Sequence, residues 1–273
     1  MRYNDHERCD DLKNVIFFDI DGTLVTEDGR SFIPESAREA IKETRRRGNL
    51  TFINTGRTAF NVNRRVRELG FDGLLCGCGT YIEYGGEVIF HNKLERDFCR
   101  RTAALMRELN VTPVYEHTDG YFFDGLSPKT ADFEDFMRTF VEEGIDITGR
   151  VEDEDFIFDK FVIWVNESSD FERFMREVGR DFSIIDRGNG FYENVPKGFT
   201  KATAMDMILK RLGITIENAY AIGDSMNDLQ MLKAVPNSIA MGGAEKLYPY
   251  VSYVTTPILE DGIANALEHF GLI

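Results

Sequence analysis

Val15-Ile16-Phe17-Phe18-Asp19-Ile20-Asp21-Gly22-Thr23 runs four apolar residues straight into two carboxylates. A stretch that is apolar at every position suits a strand covered on both faces, as in a parallel sheet, rather than a half-exposed strand of alternating polarity. Downstream, Pro34 can open a helix that carries Ala37, Ala40 and Ile41 on one side, and Gly48 can close it. The alternation then repeats: Leu50-Thr51-Phe52-Ile53 reads as a second strand ending in Asn54-Thr55-Gly56-Arg57. A polar helix from about 59 to 69, closed by Gly70, and a third strand at Leu74-Leu75 follow.

Near the C-terminus Ala202, Met205, Ile208, Leu209 and Leu212 recur at helical spacing before Gly213. Ala219-Tyr220-Ala221-Ile222 then runs into Gly223-Asp224-Ser225-Met226-Asn227-Asp228, so another apolar strand ends in carboxylates. The pattern predicts an α/β fold with a Rossmann-like parallel sheet. Ligands of such sheets bind outside the carboxyl ends of the strands, so the three polar tips converge on one crevice if their strands are neighbours.

From 83 to 188 the pattern changes. A hairpin is expected around Val114 to Phe123 with a turn at Asp119-Gly120, and a helix face at Phe133, Phe136, Met137 and Phe140. Phe161-Val162-Ile163-Trp164-Val165 reads as a strand, and 169 to 179 as a helix. This α+β mixture is predicted to be an inserted domain, 83–188, dividing a discontinuous core of 1–82 and 189–273.

The 273 residues carry 32 Lys and Arg against 47 Asp and Glu, a formal charge of −15, which argues against a nucleic-acid backbone or an anionic membrane as partner. The acid is local: residues 83 to 188 hold 25 acidic and 13 basic side chains, a net −12, leaving −3 elsewhere. Met1-Arg2-Tyr3-Asn4-Asp5-His6-Glu7 alternates charge and polarity where a secretory signal would carry an apolar core, and no apolar run approaches membrane-helix length, so a soluble, cytoplasmic protein is expected. Cysteines at 9, 76, 78 and 99 fit neither a disulfide framework nor a CxxC pair and read as free thiols. The histidines at 6, 91, 117 and 269 are scattered, with no zinc-type spacing.

Asp19 and Asp21 followed by Gly22 do not make an EF-hand, which needs its glycine at position 6 and a Glu at position 12. Gly77 and Gly79 lack the third glycine of a dinucleotide fingerprint, Ile82 standing there. A solvated acidic turn would account for one tip but not for several. Carboxylates from separate strand ends, Asp19 and Asp224, suit a hard cation such as Mg²⁺, which also neutralises a phosphate. Thr55 and the backbone at Gly56 can donate to phosphoryl oxygens, and Lys201 at a helix start adds positive charge. Thr55 could instead be an ordinary helix cap, and Lys201 a surface lysine.

The four ordered stretches Asp19-Ile20-Asp21-Gly22-Thr23, Thr55-Gly56-Arg57, Lys201 and Gly223-Asp224-Ser225-Met226-Asn227-Asp228 resemble the motifs of the haloacid dehalogenase (HAD) superfamily. The insertion, Asn194-Val195-Pro196-Lys197-Gly198-Phe199-Thr200-Lys201 and Glu260-Asp261-Gly262-Ile263-Ala264 are similar to the Cof-type sugar-phosphatase subfamily with its type IIB cap. The resemblance implies a HAD core with a substrate-selecting cap that closes over a small phosphorylated metabolite. It implies Asp19 as nucleophile forming an aspartyl-phosphate, and Asp21 as general acid and then base. It further implies Mg²⁺ on the Asp19 side chain, the Asp21 carbonyl and Asp224; phosphate on Thr55, Gly56, Lys201 and Asn227; and Asp228 and Arg57 in support. Gly22 and Gly29 would bracket a segment that flexes as substrate enters.

Cys78-Gly79-Thr80 departs from an Asn-Gly-Ala stretch common in relatives, Gly242-Gly243-Ala244 from Gly-Asn-Ala, and Ala202 from a glycine. None of these removes a catalytic group. Met205, Met207, Met226 and Met231 read as packing; Glu152-Asp153-Glu154-Asp155 reads as a solvated loop, with cation binding as the alternative; and Lys160 and Arg187 read as members of a structural ion pair, with contact to an anionic substrate as the alternative. A phosphosugar mutase and a noncatalytic phospho-ligand sensor are the rival functions. The cap's acid excess weighs against the first and the intact Asp19/Asp21 pair against the second.

Overall fold

The computed structural model describes residues 14–29, 31–142 and 144–273. Cys9 and His6, read above as a thiol and a scattered histidine, lie outside them. The chain forms two compact units, one of Gly56 and preceding residues with Val62–Phe90 and Thr200–Ile273, the other of Arg57–Asn61 and His91–Phe199.

The first unit opens with β1 (Val15–Phe18), buried at all four positions as its composition requires. Next come α1 (Glu35–Arg46), whose Ala37, Ala40 and Ile41 face inward, and β2 (Leu50–Asn54). The single polar helix expected from about 59 to 69 is instead split into a 3₁₀ turn, Ala59–Asn61, and the four-residue α2 (Arg64–Arg67). Asn63 is extended and its side chain accepts from the Val66 amide, which restarts the helix there. The break falls where the chain passes between units. β3 (Gly73–Cys76), β4 (Tyr81–Tyr84) and β5 (Glu87–His91) complete this half, with β4 antiparallel to β3.

The second unit contains α3 (Arg96–Glu108), β6 (Thr112–His117), β7 (Gly120–Phe123), α4 (Ala131–Glu142), β8 (Lys160–Trp164), α5 (Phe171–Val178), β9 (Phe182–Gly188) and β10 (Phe191–Pro196). Its antiparallel sheet runs in the order β7-β6-β8-β10-β9. Alternation along the strands makes two cores. Tyr115, Phe161 and Ile163 pack with Cys99, Met106 and Phe174 of α3 and α5, while Val114, Val162 and Trp164 pack with Phe133 and Phe140 of α4. The β9–β10 hairpin pairs with β8, and the chain returns to the first unit at Thr200, whereas the sequence pattern put the crossings after 82 and after 188. The difference at the first crossing comes from β4 and β5, which extend the first unit's sheet.

The first unit resumes with α6 (Lys201–Leu212), β11 (Ala219–Gly223), α7 (Leu229–Lys233), β12 (Asn237–Ala240), β13 (Tyr253–Val254) and α8 (Gly262–His269). Its sheet runs β13-β12-β11-β1-β2-β3-β4-β5, parallel from β13 through β3. β1 lies between β2 and β11, so the tips after Phe18, Asn54 and Gly223 are adjacent, as the crevice argument requires. Met205 and Met231 are core residues, but Met226 is half exposed. Cys76, Cys78 and Cys99 are buried outside any disulfide, and burial pushes the Cys99 thiol up to about 11. Among the described residues no helix is long and apolar enough to cross a membrane.

Candidate active site

Asp19 is the first residue beyond β1, and its amide donates to the Ile222 carbonyl at 3.0 Å, which ties the tip of β1 to that of β11. Its side chain is almost wholly buried. Lys201 begins α6, which is capped by Thr200: the Thr200 hydroxyl accepts from the Thr203 amide at 3.0 Å. From there the buried Lys201 ammonium donates to Asp19 Oδ1 at 2.6 Å and to Asp228 Oδ1 at 2.5 Å. Asp228 Oδ2 accepts from the amides of Asp224 and Ser225, each at 3.1 Å, so one of its oxygens holds the loop after β11 while the other holds Lys201.

Asp224 is fixed from the β1 side, where Thr23 Oγ1 donates to its Oδ1 at 3.1 Å. Gly22 makes this approach possible. A Cβ there would lie 2.2 Å from Asp224 Oδ2, and the backbone has φ +74°, a region natural to glycine. Gly223 is similarly constrained, since a Cβ would sit 2.7 Å from that of Asp228. A cavity of about 390 Å³ opens beside Asp224, lined by Gly22, Glu27, Gly242 and Gly243 among others.

The electrostatics of this cluster are unbalanced. Oxygens of Asp19, Asp224 and Asp228 lie within 4.8 Å of one another, and one ammonium offsets one of three carboxylates. Burial, and then the charge of Asp228, push Asp19 up to about 8 although Lys201 opposes the shift. Burial and Asp228 likewise push Asp224 up to about 7. Burial works against the Lys201 ammonium, but Asp19 and Asp228 outweigh it and hold its pKa above the ordinary lysine value. An all-oxygen set with surplus negative charge fits a hard divalent cation, which would relieve the repulsion that raises Asp19 and Asp224.

The other predicted residues are placed as follows. Asp21 is partly exposed and bridges to Val25 within the turn that also joins the Gly22 amide to the Val25 carbonyl. Thr55 is buried, its amide donating to Leu75 O at 2.9 Å and its carbonyl accepting from the Cys78 amide at 3.1 Å, so its backbone secures the loop. Gly56 follows at the same tip, partly exposed. Asn227 turns its side-chain oxygen to the Ser225 hydroxyl at 2.5 Å. Arg57 falls in the second unit and donates to the Asn61 carbonyl at 3.1 Å.

The sequence model of the haloacid dehalogenase-like hydrolases matches residues 16–267. The chain belongs to that family. YkrA of Bacillus subtilis (strain 168), provisionally named a phosphatase, is 31% identical over 270 residues, 95% of this chain and 98% of YkrA. The 5-amino-6-(5-phospho-D-ribitylamino)uracil phosphatase YcsE of the same organism is 28% identical over 267 residues, 96% of this chain and 97% of YcsE. Among solved structures, the HAD subclass IIB sugar phosphatase BT4131 matches with a TM-score of 0.78 and 28% identity, covering 95% of this chain and 100% of that one. The chain is accordingly a phosphatase-class hydrolase.

Two supports of this haloacid dehalogenase-like site carry no role in the sequence reading. Asn54 is buried at the end of β2 and donates through Nδ2 to the Lys201 carbonyl at 2.9 Å, anchoring the start of α6. Thr23 anchors Asp224. An amide ending an apolar strand was the available signal for Asn54. At one of the departures from the family pattern, Cys78 takes a left-handed φ of 55° and its amide bonds Thr55; Gly79 beside it packs so closely that a Cβ would lie 2.9 Å from the Thr200 carbonyl.

Proposed function

We propose that the chain is a Mg²⁺-dependent phosphatase that hydrolyses a small phosphomonoester, a sugar phosphate by class, through an aspartyl-phosphate on Asp19. The observation carrying this reading is the buried Asp19 carboxylate at the end of β1, one oxygen clamped by Lys201 at 2.6 Å beside Asp224 and Asp228. A strand buried on both faces has no structural need of such a group.

Asp19, Asp224 and the Asp21 backbone carbonyl would hold Mg²⁺, which when bound neutralises carboxylate and phosphoryl charge. Lys201 fixes the Asp19 carboxylate through Oδ1. A carboxylate oxygen of Asp19 attacks phosphorus, the bond to the leaving alkoxide breaks, and the Asp21 carboxyl gives that oxygen its proton. Asp21, now ionised, takes a proton from water. The hydroxide attacks phosphorus, the bond to Asp19 breaks, and inorganic phosphate leaves. Lys201, Thr55, Gly56 and Asn227 bind phosphoryl oxygens, Asp228 positions Lys201, and Arg57 supports the second strand tip.

The sugar-phosphate class is supported by the names of two relatives, one a sugar phosphatase and one acting on a phosphorylated ribityl compound. We assign the choice of leaving group to the inserted region, 83–188, whose net −12 disfavours polyanions. The test is a panel of sugar phosphates, nucleotides and cofactor phosphates assayed with Mg²⁺ or EDTA, beside Asp19→Asn. Release of inorganic phosphate that needs the metal and Asp19 supports the reading. Full turnover in EDTA or in the variant refutes it, and a product phosphorylated at a new position indicates a mutase.

A further inference from the structure

Two of the four histidines, scattered in sequence, meet in the fold. His91, the first residue of the second unit's main segment, His117 at the end of β6 and Asp159 just before β8 present ring nitrogens and a carboxylate oxygen within 4.8 Å of one another. The two imidazole centroids are 5.9 Å apart, and His91 Nε2 lies 2.6 Å from Asp159 Oδ1. The Asp159 amide donates to the Glu116 carbonyl at 2.8 Å, which fixes the loop beside the end of β6.

The cluster is incompletely satisfied. Asp159 is 2% exposed and its Oδ2 has no hydrogen-bond partner; His117 is 8% exposed and its Nε2 has none either. His117 Nδ1 accepts from the Asp119 amide at 3.3 Å, which puts the ring proton on the buried Nε2, where nothing accepts it. Buried polar atoms are normally bonded, so two orphans in one cluster point to a missing ligand.

We propose that His91, His117 and Asp159 bind a Zn²⁺ ion, at a site separate from the Asp19 cluster. Two imidazoles and a carboxylate are a zinc-type donor set, whereas the all-oxygen Asp19 cluster suits Mg²⁺, so the two sites sort different metals. Ligand atoms on a tetrahedral zinc stand about 3.3 Å apart, given bonds of about 2.0–2.1 Å, which small side-chain rotations reach from this arrangement. The ion takes the place of the proton between His91 and Asp159. His117 then carries its proton on Nδ1, toward the Asp119 carboxylate 3.6 Å away, the usual outer partner of a ligating histidine. A cavity of about 460 Å³ lined by His117, Asp119, Asp153 and Asp155 adjoins the cluster at His117 and gives a cation an acidic approach to it.

The experiment titrates metal-free protein with Zn²⁺ while excess Mg²⁺ occupies oxygen sites, reading bound zinc after desalting. The expected result is one zinc per chain, weakened about tenfold or more in His117→Ala and in Asp159→Asn, and retained in Asp224→Asn. No retained zinc in the wild type, or zinc lost in Asp224→Asn and kept in the other two variants, overturns the proposal. Histidine ring ¹⁵N spectra of the wild-type protein keep the test independent of variant folding. Zinc must shift His91 and His117; unchanged His91 and His117 signals overturn it.

Discussion

Replacing Gly22 by alanine tests how the β1 and β11 tips are fitted together. The new Cβ would start 2.2 Å from Asp224 Oδ2, where ordinary contact begins at 3.4 Å, so the carboxylate must retreat by about 1.2 Å. That movement strains the Thr23 to Asp224 hydrogen bond and misplaces a proposed metal ligand. A 1 Å misplacement near reacting groups costs roughly 10²-fold in rate. Independently, a side chain at φ +74° costs about 1–2 kcal/mol of stability. Gly29→Ala separates the effects, because Gly29 has φ +79° but nothing within 4 Å of its Cβ position. Both variants should melt a few degrees lower, whereas only Gly22→Ala should lose about 100-fold in kcat and need more Mg²⁺ for half-maximal rate. Steady-state rates on a phosphomonoester across a Mg²⁺ series, with melting curves, decide it. Equal activity losses in the two variants, or wild-type kcat and Mg²⁺ dependence in Gly22→Ala, would show that activity does not depend on the close fit of Gly22 against Asp224.

Other consequences follow from the same contacts. Asp19 and Asp224 have folded pKa values of about 8 and about 7, raised from 3.8, so the folded state holds more protons than the unfolded one between those values. Their contribution therefore weakens stability as pH rises from about 4 toward 8. Asp224→Asn should flatten this fall in metal-free melting temperature, and an unchanged slope would contradict it. Mg²⁺ added at pH 8 should raise the melting temperature of the wild type more than that of Asp224→Asn, as a thermal-shift titration can show. In the second unit, Lys160 reaches Glu193 at 2.5 Å and Glu116 at 3.4 Å, all three buried, and Arg187 also pairs with Glu193. Lys160→Met should cost about 3 kcal/mol in denaturant unfolding by stranding buried carboxylates; a loss below about 1 kcal/mol would contradict that.

The sequence carried the core because its signals are local. Four apolar residues ending in Asp19, and Ala219 to Ile222 ending before Asp224, announce buried strands and polar tips without reference to distant residues. Lys201 was legible as a charge at a helix start, and its partners became visible only when α6 was set beside β1 and β11. Long-range pairing hid the rest. Asn54 looks like any polar residue after a strand until its bond to the Lys201 carbonyl is seen. The helix expected across 59 to 69 failed because Asn63 caps a new turn midway. Lys160 and Arg187, read as ion-pair residues, are so, but Glu116 and Glu193 come from other strands at no fixed spacing. His91, His117 and Asp159 are likewise far apart in sequence and adjacent in space.

The most direct test of the central claim is rapid acid quenching of a single turnover with substrate labelled in its phosphoryl group, followed by peptide mapping. Transient, hydroxylamine-labile label is expected on the peptide containing Asp19 in the wild-type protein and none in Asp19→Asn. Turnover that proceeds with no labelled protein, or label on a peptide without Asp19, would contradict the claim.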